Sequence, residues 1–128
     1  MNKILENLNY AKTHEWVDFI NETTARIGIS DFAQQALGDL VFINLPEVGD
    51  SVTAGDAFGD VESVKAVSDI ISPVTGVISA VNQDIIDRPE IINETPYDSW
   101  FIEVTDITGK SDLLAASGYE EFCEKEAH

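Results

Sequence analysis

Positive charge is what this chain lacks most: 7 lysines and arginines stand against 24 aspartates and glutamates over 128 residues, a formal net charge of −17. Neutralising phosphates needs Lys and Arg, so this balance argues strongly against nucleic-acid binding and also against an anionic membrane surface. It favours solubility and steering toward basic patches on partner proteins, at rates that fall as salt rises. Cysteine is nearly absent as well. Cys123 is alone, which rules out an internal disulfide and fits a reducing compartment. There is no CxxC pair, and neither His14 nor His128 lies at ligand spacing to Cys123, so zinc binding and a thiol nucleophile have little support. Apolar runs are short and broken by charge, and the start MNKILENLNY has neither an apolar signal core nor Arg-rich transit character. The expected location is the cytoplasm of a bacterium, or the mitochondrial matrix for a processed organellar chain.

A chain of this length supports one domain, with enough apolar surface to fold without disulfides or metal. His14 to Ile20 and Thr24 to Ile29 are rich in β-branched and aromatic types and predict an opening hairpin around Asn21 and Glu22. Ser30 is placed to cap a short helix with Phe32, Ala33, Ala36 and Leu37 on one face, ended by a left-handed Gly38. Leu40 to Leu45 returns to strand character and stops at Pro46. From there to about Asn82, Gly49, Gly55, Gly59, Pro73 and Gly76 punctuate short strands, the spacing of a small sandwich or barrel. Ser99 to Thr105 predicts another strand, with Trp100, Ile102 and Val104 alternating against Phe101 and Glu103. Beyond Gly109 the pattern predicts helix: Ser111 caps a segment through Leu113 and Leu114, Gly118 interrupts it, and Tyr119, Phe122 and Cys123 form a second apolar stripe suited to packing.

Against this scarcity of cations one amine stands out. Lys65 is the only lysine between Lys12 and Lys110, and it lies in the run GDVESVKAVSDIISPVTG. Val61, Val64, Val67, Ile70 and Ile71 read as two strands meeting near Val64, Lys65 and Ala66, a hairpin of about residues 58–72. Tight hairpin turns favour Asn or Gly for positive φ, and neither occurs between Asp60 and Ser72. Such a mismatch between local rule and apparent structure is expected at functional sites.

VESVKAVSD followed by PVTG resembles the attachment hairpin of the H-protein family of the glycine cleavage system. The resemblance extends to YAKTHEW at Tyr10 to Trp16, GISD at Gly28 to Asp31, LGDLVFINLPEVGD at Leu37 to Asp50, and PEIINETPY at Pro89 to Tyr97. Biotin carriers also present a hairpin lysine but typically flank it with methionine, where this chain has Val64 and Ala66. One departure is that the family usually has a Gly-containing loop between its PY and its W, whereas this chain runs Tyr97, Asp98, Ser99, Trp100. The resemblance implies a mainly β, lipoyl/biotinyl-type flattened barrel over residues 1–128, with a short internal helix and a C-terminal helical segment of about residues 111–126.

It also implies that lipoate is joined by an amide to Lys65, and that the chain is a non-catalytic carrier, in keeping with its lack of a catalytic constellation. In the family the arm takes the aminomethyl group of glycine at a pyridoxal-phosphate glycine decarboxylase. A tetrahydrofolate-dependent aminomethyltransferase then removes the one-carbon unit, and dihydrolipoyl dehydrogenase reoxidises the dithiol. The implied partners are these three enzymes and a lipoylating enzyme, visited by a monomer, with no nucleic acid and no membrane. Glu62 and Ser63, with Val64 and Ala66, are assigned to recognition of the hairpin by the lipoylating enzyme. Glu15 and Asp69 are candidates for a cleft holding the cationic aminomethyl arm away from water, with solvated surface acids as the alternative. Trp16 is expected to pack and His14 to shape the cleft wall. Two other functions stay open on the residues: lipoate relay to 2-oxoacid dehydrogenases or another redox system, and a scaffold that only binds a partner.

Overall fold

A computed structural model describes residues 3–127, so His128 lies outside the described residues. The chain opens with β1 (Asn9–Ala11), β2 (Glu15–Asn21) and β3 (Thr24–Ile29), then α1 (Asp31–Leu37) and β4 (Leu40–Asn44). The short β5 (Ser51–Val52) precedes β6 (Ala57–Ser63) and β7 (Val67–Ile71), and β8 (Val74–Val81) follows. Two helical turns, α2 (Gln83–Asp87) and α3 (Glu90–Glu94), lead into β9 (Ile102–Lys110), β10 (Leu113–Leu114) and α4 (Ala116–Ala127). The strands form two sheets, β10-β1-β2-β3-β9-β8-β5 and β4-β6-β7. They face one another across one core as a flattened barrel-sandwich, without closing into a cylinder.

That core draws on both sheets: Ile27 and Ile29 from β3, Ile43 from β4, Val61 and Ile70 from β6 and β7, Ile78 from β8, and Ile102 and Val104 from β9. The alternation along each strand puts these residues inward and their neighbours outward. A second cluster of Leu8, Tyr10, Trp16, Tyr119 and Cys123 packs α4 onto the opposite end of the larger sheet. Within it Tyr10 stacks on Tyr119, ring centroids 4.3 Å apart.

Several expectations are corrected. Leu113 and Leu114 are strand, pairing with Ala11 and Tyr10 on β1, because the otherwise open edge of β1 takes up their backbone groups. Gly118 does not interrupt a helix but lies within α4. On α1, Phe32 packs in the second cluster while Ala33 and Leu37 pack in the first, and Ala36 is exposed, so the helix bridges two cores instead of presenting one apolar face. The ninth strand starts at Ile102, and Phe101 is fully buried where simple alternation pointed it outward. The helical turns α2 and α3, which bury Ile85 and Ile92, had no counterpart in the sequence reading.

Candidate functional site: the attachment hairpin

β6 and β7 form the expected hairpin, with Glu62 opposite Val67 and Val61 opposite Ser68, joined through Val64, Lys65 and Ala66. The tip does without glycine or asparagine because Ser63 staples it. The Ser63 hydroxyl accepts from the N–H groups of Lys65 (3.2 Å) and Ala66 (3.0 Å), and the Ser63 N–H donates to Ala66 O at 2.8 Å. A serine side chain mimicking a backbone turn in this way removes the need for a left-handed residue. Among the described non-glycine residues only His14 and Asp106 have positive φ. Val64, Lys65 and Ala66 are all exposed. The Lys65 ammonium makes no ion pair or hydrogen bond among the described residues, and its stem passes over the end of α1, where a Cβ on Gly38 would stand 3.5 Å from the Lys65 Cε.

The mount beneath the tip is built from residues distant in sequence. Val64 N–H donates to Asp39 O at 3.0 Å, tying the tip to the α1–β4 connection. Asn93, on α3, clamps that connection: its Oδ1 accepts from Leu40 N–H at 2.9 Å, and its Nδ2 donates to Gly38 O at 2.9 Å and to Gln34 Oε1 at 3.0 Å. A side-chain amide has an acceptor and two donor hydrogens, and here both ends are engaged, as a half-buried amide requires. Sequence reasoning quoted Asn93 within PEIINETPY but gave it no role. No periodicity signal could have found it, because its partners lie more than fifty residues away.

The two acids singled out beforehand occupy different environments. Asp69 is exposed on β7, opposite Asp60. Glu15 is not a solvated surface acid: it is only 2 % exposed. At the start of β2 its carboxyl turns inward, accepting from the Thr13 hydroxyl and, at 3.1 Å, from Ile71 N–H at the base of the hairpin. Burial pushes its pKa from the ordinary 4.5 up to about 7, against the opposing pull of those hydrogen bonds. Thr13 and Ile71 also line an open depression with Lys12, Gly55, Ser111 and Asp112, so Glu15 stands directly behind the wall of that hollow.

Trp16 packs as expected, its indole N–H donating to Pro96 O at 3.1 Å and its ring lying where a Cβ on Gly28 would come within 2.6 Å. His14 is not among the residues lining the hollow in front of Glu15. Its ring stacks on Phe32 at 4.5 Å, and its nitrogens meet the Tyr119 hydroxyl (2.7 Å) and Glu126 (2.6 Å), fastening α4. The Tyr119 hydroxyl in turn meets Ser30 Oγ at 2.6 Å, the cap of α1. The loop from Tyr97 to Trp100 closes without glycine: Asp98 and Ser99 N–H both donate to Thr95 O, and Trp100 O accepts from Asn82 Nδ2.

A flattened two-sheet β fold that offers a lysine from a hairpin tip is the architecture of lipoyl- and biotinyl-type carrier domains. Residues 8–126 match the family model described as glycine cleavage H-protein. The chain is 59 % identical over 124 residues to the glycine cleavage system H protein of Lachnoclostridium phytofermentans, covering 97 % of this chain and 98 % of that one. It is 46 % identical to the same-named protein of Mycolicibacterium vanbaalenii, covering 93 % and 95 %. A crystal structure of a glycine cleavage system H protein from Mycobacterium marinum superposes with TM-score 0.86 at 40 % identity, covering 98 % of this chain and all of that one. The chain therefore belongs to the glycine cleavage H-protein family. No helix among the described residues is long and apolar enough to cross a membrane.

Proposed function

We propose that the chain is a non-catalytic carrier: lipoate is attached by an amide to Lys65, and the loaded protein serves glycine cleavage in the cytoplasm as a monomer. It takes the aminomethyl group from glycine decarboxylase to the tetrahydrofolate-dependent aminomethyltransferase and presents the dithiol to dihydrolipoyl dehydrogenase. The observation that carries this reading is an exposed, unpaired lysine on a tip stapled by Ser63 and anchored through Asp39 and Asn93. An amine that must be acylated has to be reachable and free of a competing carboxylate, and Lys65 meets both conditions. In the attachment step the amine attacks the carbonyl of an activated lipoyl group. The C–N bond forms, the activating group leaves with the electron pair of the broken acyl bond, and the surplus protons of the ammonium pass to solvent. Lipoate, once attached, would supply a dithiolane disulfide able to take a carbon group on one sulfur and leave a thiol on the other, the electron pair coming from the carbon–carbon bond that breaks when glycine loses carbon dioxide.

The chain's own residues hold and orient. Ser63 and Asp39 fix the direction in which the Lys65 stem leaves the protein. Glu62 and Ser63, with Val64 and Ala66, are what a modifying enzyme meets first. Asp69 offers a carboxylate to a cationic cargo from the surface, and Glu15 does so from behind Thr13 and Ile71, its charge cut by burial at neutral pH.

The test is the mass of the tryptic fragment containing residue 65 after incubation with a lipoylating enzyme, followed by glycine-dependent carbon dioxide release with glycine decarboxylase. An adduct on Lys65 and carbon dioxide release are expected. An unmodified fragment overturns the attachment. A lipoylated protein that releases no carbon dioxide yet passes lipoate to a 2-oxoacid dehydrogenase assigns the chain to lipoate relay.

A further inference from the structure

Asn93 supports the attachment tip in only one of its two orientations. The two ends of a side-chain amide share a shape but have opposite hydrogen-bonding roles, so its neighbours decide which way it faces. Asn93 Oδ1 accepts from Leu40 N–H at 2.9 Å, and Nδ2 donates to Gly38 O at 2.9 Å and to Gln34 Oε1 at 3.0 Å. Turned over, it would set its oxygen against those two oxygens and its nitrogen against the Leu40 N–H. Gln34 poses the same choice one step further from the tip. Its Oε1 faces Asn93 because its Nε2 donates to Asp31 Oδ1 at 2.6 Å. The series of choices ends there, since a carboxylate accepts and cannot donate. Asp31 is itself pinned on the first turn of α1, its Oδ2 accepting from Lys3 N–H and from Gln35 Nε2, each at 2.8 Å. From Asp31 the polarity passes through two amides, along α1 to Gln34 and across to Asn93 on α3, and arrives at the α1–β4 connection. Asp39 lies between Gly38 and Leu40, the two residues that Asn93 holds, and its carbonyl accepts from Val64 N–H at the tip at 3.0 Å.

We propose that Asp31 and Gln34 are positioning residues for Lys65: the carboxylate orients the Gln34 amide, Gln34 orients Asn93, and Asn93 holds the α1–β4 connection in place beneath the hairpin tip. The inference rests on Lys65 being the attachment site, and it concerns how the amine is presented, not what recognises it. Gln34 suits the task because it must donate at one end and accept at the other. Glutamate there could only accept, and lysine could only donate. The spacing agrees, because residues three apart on a helix are neighbours on its surface, so Asp31 meets Gln34 directly. Gln34 and Asn93 are 59 residues apart in the chain, so the relay exists only in the folded protein.

The experiment compares the full chain with Gln34→Glu, Gln34→Lys and the double variant Asp31→Asn/Gln34→Glu. Amide hydrogen exchange is read by NMR, and lipoylation by intact mass with lipoate, ATP and a lipoate ligase. Gln, Glu and Lys have similar helix propensities, so the substitutions at 34 do not themselves weaken α1. Gln34→Glu sets a second carboxylate against Asp31 and should quicken exchange at Leu40 and Val64 about tenfold. Ile78 N–H, which donates to Asp50 O, should keep its wild-type rate. The kcat/KM for the protein acceptor should fall about fivefold alongside, as the tip holds the amine less well. In the double variant the amide at position 31 donates to the carboxylate at position 34, which still accepts from Asn93, so the polarity is restored at the same net charge. Both exchange rates and kcat/KM should return to within about twofold of wild type. Thermal unfolding checks each fold; should Gln34→Glu unfold, Gln34→Lys, which leaves Asn93 Nδ2 without its acceptor, carries the test. Unchanged exchange at Leu40 and Val64 in a folded variant at 34, or a double variant no better than Gln34→Glu, overturns the relay. Slower lipoylation with unchanged exchange would mean that Gln34 touches the ligase, and quicker exchange with unchanged lipoylation that presentation does not depend on this mount; either overturns the positioning role. A wild type that gains no adduct while the exchange pattern holds overturns the Lys65 assignment and leaves the relay standing.

Discussion

The two ends of the β6–β7 hairpin are held by opposite means. At the tip every residue of the connection is exposed, and short hydrogen bonds between near neighbours, Ser63 to Lys65 and Ala66, define the turn. At the base the chain is fastened by a buried carboxyl from another strand, with Glu15 on β2 accepting from Ile71 N–H on β7. Water keeps the tip reachable, so a charged amine costs nothing there; exclusion of water makes the base firm, at the expense of a carboxyl that resists ionisation. The carrier role proposed for the chain calls for both, an amine that a partner can approach and a root that is firmly held.

The sharpest way to break the contrast is at the tip. Lys65→Arg keeps the charge and removes the acylatable amine, so it should abolish the mass adduct and all glycine-dependent carbon dioxide release. Stability should change by no more than about 0.5 kcal/mol in denaturant unfolding, as for other exposed substitutions. A variant that still shuttles would remove Lys65 from its role.

At the base the expected effect is on stability and depends on pH. Folded Glu15 holds its proton up to about pH 7, while in the unfolded chain it releases it near 4.5. Between those values the folded state binds more protons, so stability falls as pH rises, with no penalty below 4.5 and the full penalty above 7. Glu15→Gln, which retains an acceptor for Ile71 N–H and removes the ionisation, should erase this slope. Relative to wild type the variant should gain on the order of 3 kcal/mol between pH 4 and pH 8, read from urea unfolding at each pH. Parallel curves for the two proteins would show that Glu15 ionises freely.

The smallest effect tests the link between the ends. Asn93→Ala strips Leu40 N–H of its acceptor in a buried position and should cost about 1–3 kcal/mol. By freeing the α1–β4 connection that supports Val64, it should also quicken amide hydrogen exchange at Val64. Unchanged exchange there would mean that the Ser63 staple alone suffices to hold the tip.

How legible each part was follows from the range of its interactions. The hairpin flanking Lys65, the Ser30 cap and the Gly38 terminus were readable because strand propensity, capping and positive φ are properties of a few neighbouring residues. The strand at Leu113 and Leu114 was misread as helix because its backbone partner is β1, a hundred residues earlier, and two leucines carry no period of their own. His14, expected to shape a cleft wall, has positive φ and its ring nitrogens meet Tyr119 and Glu126 on α4, partners more than a hundred residues away.

From residue order alone came the isolated lysine, the β-branched segments on either side of it, the excess of acidic residues and the mainly β architecture, all properties of composition and short-range pattern. Folding in three dimensions decided that Glu15 would be buried at the hairpin base, that Asn93 would brace the tip, and that Gln34 would join Asn93 to Asp31. Each of those depends on strands and helices remote in sequence being brought within hydrogen-bonding or packing distance, and the resulting desolvation, cross-strand register and charge environment exist only once the sheets have assembled.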